Sequence, residues 1–100
     1  MKFEWDANKN RLNIEKHGLS FDDAESVFEG PMIVSLDTRQ EYSETRWLAM
    51  GYSHGRIIVL VYTERDQGET IRIISMRKAH KHERKRFEET LSRWQRLGPG

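Results

Sequence analysis

The sequence predicts an α+β fold: a twisted antiparallel sheet packed with an N-terminal helix pair and a C-terminal helix. Three observations carry that expectation. In the middle of the chain, apolar side chains alternate with polar ones or run unbroken in short stretches, each bounded by a turn signal. Near the N-terminus, two segments are bracketed by capping residues and glycines. Near the C-terminus, Phe87, Leu91 and Trp94 recur at helical spacing and form one apolar stripe. Late strands joined by short turns are expected to pair antiparallel, with the helices on one face or at one end.

Taken in order, Phe3 and Trp5 alternate with Lys2 and Glu4, so residues 2–5 read as a first strand. Asp6 is a good N-cap for a helix over Ala7–His17, and Gly18 is placed to end it in a left-handed turn. Ser20 and Asp23 form a capping-box-like pair, with Asp in place of the usual Glu. They precede a second helix whose Phe21, Ala24, Val27 and Phe28 share one face and which Gly30-Pro31 ends. Met32–Asp37 reads as a strand, Thr38–Thr45 as a polar loop, and Arg46–Ser53 as the next strand. His54-Gly55 marks a tight turn into Arg56–Glu64. That strand is apolar from Ile57 to Tyr62, which predicts a central strand covered on both faces. A polar turn over Arg65–Glu69 leads to a strand at Thr70–Met76, and the last helix runs over Lys78–Leu97. Trp5 and Trp94 have apolar neighbours and are expected in the core. Gly98-Pro99-Gly100 closes the chain.

A chain of 100 residues fits a single domain with a thin core. With no cysteine it has neither a disulfide framework nor a thiolate metal site, which suits a reducing cytosol. The first residues lack the apolar stretch of a signal peptide, and the run Ile57–Tyr62 is too short to cross a bilayer. A cytoplasmic protein without membrane contact is therefore expected. Net charge is only +1, but it is unevenly spread: residues 1–70 hold 8 Lys/Arg and 13 Asp/Glu, residues 71–100 hold 9 and 3. A basic C-terminal third suits a polyanion or an acidic protein partner, although a solvated helix face would have the same composition.

Candidate site residues fall in three groups. On the first helix, Lys9, Asn13 and His17 are spaced i, i+4, i+8 and share a face, with Lys16 beside them. Such a stripe can hold a phosphate and move a proton; the alternative is capping, with His17 complementing the helix C-terminus. At the end of the last strand, Arg72, Arg77 and Lys78 run into a helix start whose free backbone N–H groups favour anions. His80, Lys81, Glu83 and Arg84 follow. His80 and His82 are two apart and would diverge on a helix, so no metal site is expected, and Glu83 reads as a salt-bridge partner or a general base. Arg46, preceded by Glu44, opens a strand from which it can grip a phosphate bidentately; the alternative, favoured by these residues alone, is a surface arginine paired with Glu44. No phosphate-binding glycine loop, HExxH or nucleophile elbow is present. Catalysis with His, Lys, Arg, Glu and Tyr alone suits RNA, whose own 2′-OH is the nucleophile.

Phe3-Glu4-Trp5-Asp6, Lys9, Asn13, Lys16-His17-Gly18, Ser20-Phe21 and Ala24 resemble the opening motif of the BrnT toxin family. Val27-Phe28, Pro31, Glu44 with Arg46, Arg72-Ile73-Ile74-Ser75, Arg77-Lys78-Ala79 and Glu83-Arg84 continue the resemblance in order, over residues 1–89. The chain departs from it at Met76, often Ala in the family, and at Phe87, often Tyr; Phe87 opens the apolar stripe, so a packing role is expected there. The resemblance implies a RelE-like ribonuclease toxin of a type II toxin–antitoxin system, a metal-independent endoribonuclease without cofactor that blocks translation. It also implies neutralisation by a BrnA-like antitoxin, operator DNA contacted only through that antitoxin, and a toxin dimer within the complex. On that reading, His17, Arg46, Arg72, Arg77 and Glu83 are the catalytic candidates. Lys9, Asn13, Lys16, Lys78, His80, Lys81 and Arg84 are the RNA-binding ones. A non-catalytic module that binds nucleic acid or protein through the basic C-terminal third is the alternative. A DNA-binding repressor is disfavoured, because no helix-turn-helix pairing is evident.

Overall fold

The structure, a computed structural model, describes residues 1–97, so the closing Gly98-Pro99-Gly100 lies outside it. The elements are β1 (Lys2–Trp5), α1 (Ala7–His17), α2 (Ala24–Glu29), β2 (Met32–Leu36), β3 (Trp47–Ser53), β4 (Arg56–Arg65), β5 (Thr70–Lys78) and α3 (Lys81–Leu97). Short 3-10 turns over Phe21–Asp23 and Asp66–Gly68 precede α2 and β5. Asp6 caps α1 as expected, its side chain accepting the Asn8 and Lys9 N–H groups at 2.8 and 3.0 Å. Gly18 ends α1 at φ 70°, a backbone conformation that costs glycine nothing. The Ser20–Asp23 box is only half formed. Ser20 Oγ accepts the Asp22 N–H at 3.2 Å, while Asp23 pairs with His54 across the fold.

The sheet order is β1-β5-β4-β3-β2, and β4 is central as expected. The sheet is mixed rather than antiparallel, because β1 runs parallel to β5, pairing Lys2–Trp5 with Thr70–Ile73. Period-two alternation identifies a strand but carries no information about its neighbour's direction. The helices also do not gather on one side. Leu19, Phe21, Ala24 and Val27 cover one face of the sheet, packing on Ala49, Ile58, Leu60, Tyr62, Ile71, Ile73 and Met76. On the opposite face α3 brings Phe87 onto Met50, Ile57 and Val59. A Cβ at Gly51 would stand 2.8 Å from Val27 Cγ1, so glycine is what lets α2 approach β3 this closely.

Phe87 is fully buried and meets Tyr52 edge-on with centroids 5.3 Å apart, which bears out its packing role. Trp94 does not join the core and is 47% exposed, because α3 has run past the sheet by that turn. The β5–α3 boundary also lies later than the sequence suggests. Lys78 still pairs with Ile58, and the Ala79 N–H bonds Ile57 O, so the helix begins at Lys81 rather than Lys78.

Candidate functional site

Residues directly opposite one another in a sheet share a face. The register aligns Glu4, Arg72 and Thr63 in one row, Ser75, Val61 and Leu48 in the next, and Arg77, Val59 and Met50 in a third. Arg46, two residues before Leu48, falls on the same face. α3 covers Val59 and Met50, and leaves Arg46, Arg72 and Arg77 around a floor of Leu48, Val61 and Ser75. Arg46 and Arg72 are two strand spacings apart, roughly 10 Å. A bulge at Val61/Tyr62 gives β5 an extra residue at Ile74, so that Arg72 and Arg77 lie on one face despite their odd separation.

The first helix reaches this site around an open strand edge. β1 stops at Trp5, opposite Ile73, so beyond Ile73 the edge of β5 away from β4 has no strand among the described residues. That half still pairs with β4 and is open only on its outer edge, where Asn13 substitutes for a strand, its Oδ1 accepting the Met76 N–H at 3.2 Å while its amide donates to Leu19 O at 3.0 Å. The Asn13 side chain is thus buried and held by backbone groups. One turn further on, half-buried His17 comes under the charge of Arg77. Its pKa is lowered first by burial, then by the positive charges of Lys16 and Arg77. The neutral imidazole, a base, is therefore favoured near neutrality. Lys9 and Lys16 are exposed beside it.

All three arginines face a carboxylate, two of them through hydrogen bonds. Arg72 pairs with Glu4. Arg77 makes a fork-to-fork pair with Glu83, at 2.7 and 2.9 Å. Glu83 Oε1 also accepts the His80 N–H at 2.7 Å, which completes half of a capping box at the start of α3. The Arg77 pair holds the Glu83 carboxyl at about 2, well below the usual carboxylate range, so it is a weak base. The salt-bridge reading of Glu83 is the one the geometry favours. Arg46 differs from both: its ion pair with Glu44 is long at 3.9 Å, its guanidinium lies 4.2 Å from the Tyr42 ring centroid, and its Nε is buried without a partner among the described residues.

His80 and His82 do not diverge. Their rings stack at 5.9 Å, because His80 precedes the helix instead of lying within it. Among the described residues no three His, Asp or Glu side chains come together as a metal site. Lys78, Lys81 and Arg84 are exposed at the start of α3, with Arg84 donating to Ala79 O at 2.9 Å. Among the described residues no helix is long and apolar enough to cross a membrane.

Sequence reasoning missed Asp37, Arg39 and Tyr42. Asp37 is buried, and accepts the Arg39 Nε and Nη2 at 2.8 Å each and the Tyr42 hydroxyl at 3.0 Å. Hydrogen bonding from Arg39 is the main reason its pKa falls to about 2. The only signal in the sequence was an acid, a base and an aromatic in one polar stretch, which any surface loop can contain.

No curated protein matches this chain. A family model does, over residues 5–83, and its description is a ribonuclease toxin, BrnT, of a type II toxin–antitoxin system. That span includes α1 with His17, both strands that carry the arginines, and Glu83. The chain therefore belongs to the BrnT family of ribonuclease toxins from type II toxin–antitoxin systems.

Proposed function

We propose that this chain is a metal-independent endoribonuclease acting on the half-covered face of its sheet, as a single domain in the cytoplasm. The observation that supports the reading is three arginines on one partly buried face of the sheet, with His17 close enough to Arg77 for its charge to help lower the imidazole pKa. His17 takes the proton of an RNA 2′-OH, and the oxygen attacks the adjacent phosphorus. Arg46, Arg72 and Arg77 bind the non-bridging oxygens as charge builds on the phosphorane, a task that a divalent cation performs elsewhere. His80 returns a proton to the departing 5′ oxygen. The products are a 2′,3′-cyclic phosphate and a 5′-hydroxyl. Lys9, Lys16, Lys78, Lys81 and Arg84 extend the cationic surface along the strand, and Asn13 acts indirectly by seating α1 against β5.

The family assignment supports an antitoxin partner and an RNA target. We extend it to a RelE-like toxin that blocks translation, a BrnA-like antitoxin that covers this face, operator DNA bound only through the antitoxin, and a toxin dimer within the complex. The test is incubation of purified protein with single-stranded RNA in EDTA. Cleavage with cyclic-phosphate ends is the expected result, and cleavage that needs Mg²⁺ or Mn²⁺ overturns metal independence. Because Arg72 and Arg77 are already paired with carboxylates, a non-catalytic binding module is the second reading. Binding without any cleavage in that assay would favour it.

A further inference from the structure

We propose that Tyr42, held by Asp37, is a positioning residue that presents Arg46 to the phosphate of a bound RNA. This inference rests on the ribonuclease reading of the site. It starts from the way the three arginines are held. Arg72 and Arg77 spend donors on Glu4 and Glu83. Arg46 is held over an aromatic ring, with its guanidinium carbon 4.2 Å from the Tyr42 centroid. A cation–π contact takes up no carboxylate acceptor, and at 3.9 Å the Glu44 carboxylate is beyond hydrogen-bond reach of Nη2, so the N–H fork that binds a phosphate bidentately is not committed to a carboxylate hydrogen bond. Among the described residues the Nε is buried with no partner, and a desolvated donor without an acceptor is costly.

The ring that supports Arg46 is itself fixed. Tyr42 donates its hydroxyl to Asp37 Oδ2 at 3.0 Å, and Arg39 holds both oxygens of that carboxylate. Asp37 follows the end of β2, and its N–H bonds Arg46 O at 2.9 Å, so clamp and arginine are anchored at one sheet position. Glu44 lies between two arginines, its Oε1 3.9 Å from Arg46 Nη2 and its Oε2 3.3 Å from Arg65, so its closer contact is with Arg65. Beside the Tyr42–Arg46 contact lies an open cavity of about 370 Å³, which gives a phosphate room to approach.

The experiment measures cleavage rate and affinity for a single-stranded RNA oligomer in Tyr42→Leu, Tyr42→Trp, Asp37→Asn and Arg46→Ala, alone and in Arg46→Ala backgrounds. Tyr42→Leu removes the ring and should weaken phosphate binding and rate roughly two- to thirtyfold. Tyr42→Trp should restore most of that loss. Asp37→Asn should act in the same direction. In the Arg46→Ala background none of these changes should have a further effect, which a merely structural role would not produce. An equal loss in that background overturns the positioning role, and so does a Tyr42→Leu protein with full rate and affinity. Loss in Arg46→Ala with Tyr42→Leu unaffected would leave the ribonuclease reading standing and overturn the clamp alone. Full activity and affinity in Arg46→Ala would overturn the clamp and Arg46's place in the site, whereas no cleavage by the unsubstituted protein would overturn the ribonuclease reading itself.

Discussion

On one face of the sheet Phe21, Ala24 and Val27 close over Ile58, Leu60 and Ile73, and all six are at most 1% exposed. On the other face α3 covers only half, with Phe87 and the partly buried Leu91, and the remaining half carries Arg46, Arg72 and Arg77. The same five strands therefore have one face given to packing and one left partly open. That asymmetry separates stability from chemistry. The closed face holds the strands in register, and the open face places cations beside apolar floor residues such as Val61, where reduced solvent screening strengthens their pull on an anion.

The largest effect should come from breaking the closed face. Phe21→Ala removes a ring that is 1% exposed and should cost about 3–5 kcal/mol in urea unfolding. Leu91→Ala, on the half-covered face, should cost less and act locally, loosening the end of α3 in hydrogen exchange while β4 stays protected. Equal losses of global stability from the two changes would break the comparison.

Next in size is His17. His17→Ala should slow cleavage by roughly 10²–10⁴ and remove the acidic limb of the pH–rate profile, with RNA affinity nearly unchanged. The limb should lie below the ordinary His value of 6.5, because burial, Lys16 and Arg77 all disfavour the imidazolium. The same shift has a stability consequence. As pH falls below 6.5 the unfolded chain takes up a proton that folded His17 resists, so folding weakens toward acid. A pH–rate curve of unchanged shape in the variant would take the base role away from His17.

A smaller effect is expected at Arg77. Counterion release makes RNA affinity fall with salt, with a slope of about −0.7 per phosphate contact on a single strand. Arg77→Ala should flatten the slope by about that amount while circular dichroism stays the same. An unchanged slope would mean that Glu83 keeps Arg77 from touching phosphate.

The closed face was the more legible in the sequence, because packing leaves a periodic signature. The cap at Asp6, the stop at Gly18, the stripe from Phe21 to Phe28 and the unbroken run Ile57–Tyr62 each follow from local rules. What local rules miss is pairing over long sequence distances. β1 joins β5 across 68 residues in the Glu4–Arg72 ion pair, and nothing near Glu4 announces it. The lowered pKa of His17 was foreseeable in direction from its neighbouring lysines, yet its main cause, burial, depends on α1 lying along β5. The open face was read only as a set of residue types. Its rows of arginines depend on strand register and on one bulge, and the Tyr42 clamp on a loop whose composition looks ordinary.

The smallest effect discriminates between two roles for Glu83 on the open face. Its carboxyl is held at about 2 against an ordinary 4.5, first by hydrogen bonding from Arg77. Between those values the unfolded state binds the proton and the folded state does not. The contribution to stability is therefore complete above about pH 4.5 and is lost as pH falls toward 2. Asp37, lowered from 3.8 to about 2 by Arg39, adds its own fall in a narrower window. Glu83→Gln should thus flatten acid unfolding between about pH 4.5 and 3.8 and reduce its steepness from there toward 2, where the Asp37 part remains. Near neutrality the change should cost about 1–2 kcal/mol, since Gln keeps one acceptor for Arg77 and loses the charge. If Glu83 only seats Arg77, the cleavage rate per folded molecule should change by less than about tenfold, because the phosphate then attracts a less restrained guanidinium. A rate loss of roughly 10² or more with folding intact would instead mean that Glu83 takes the proton itself. The closed-face variants would not report on that choice, since none of them touches a group that titrates in this window.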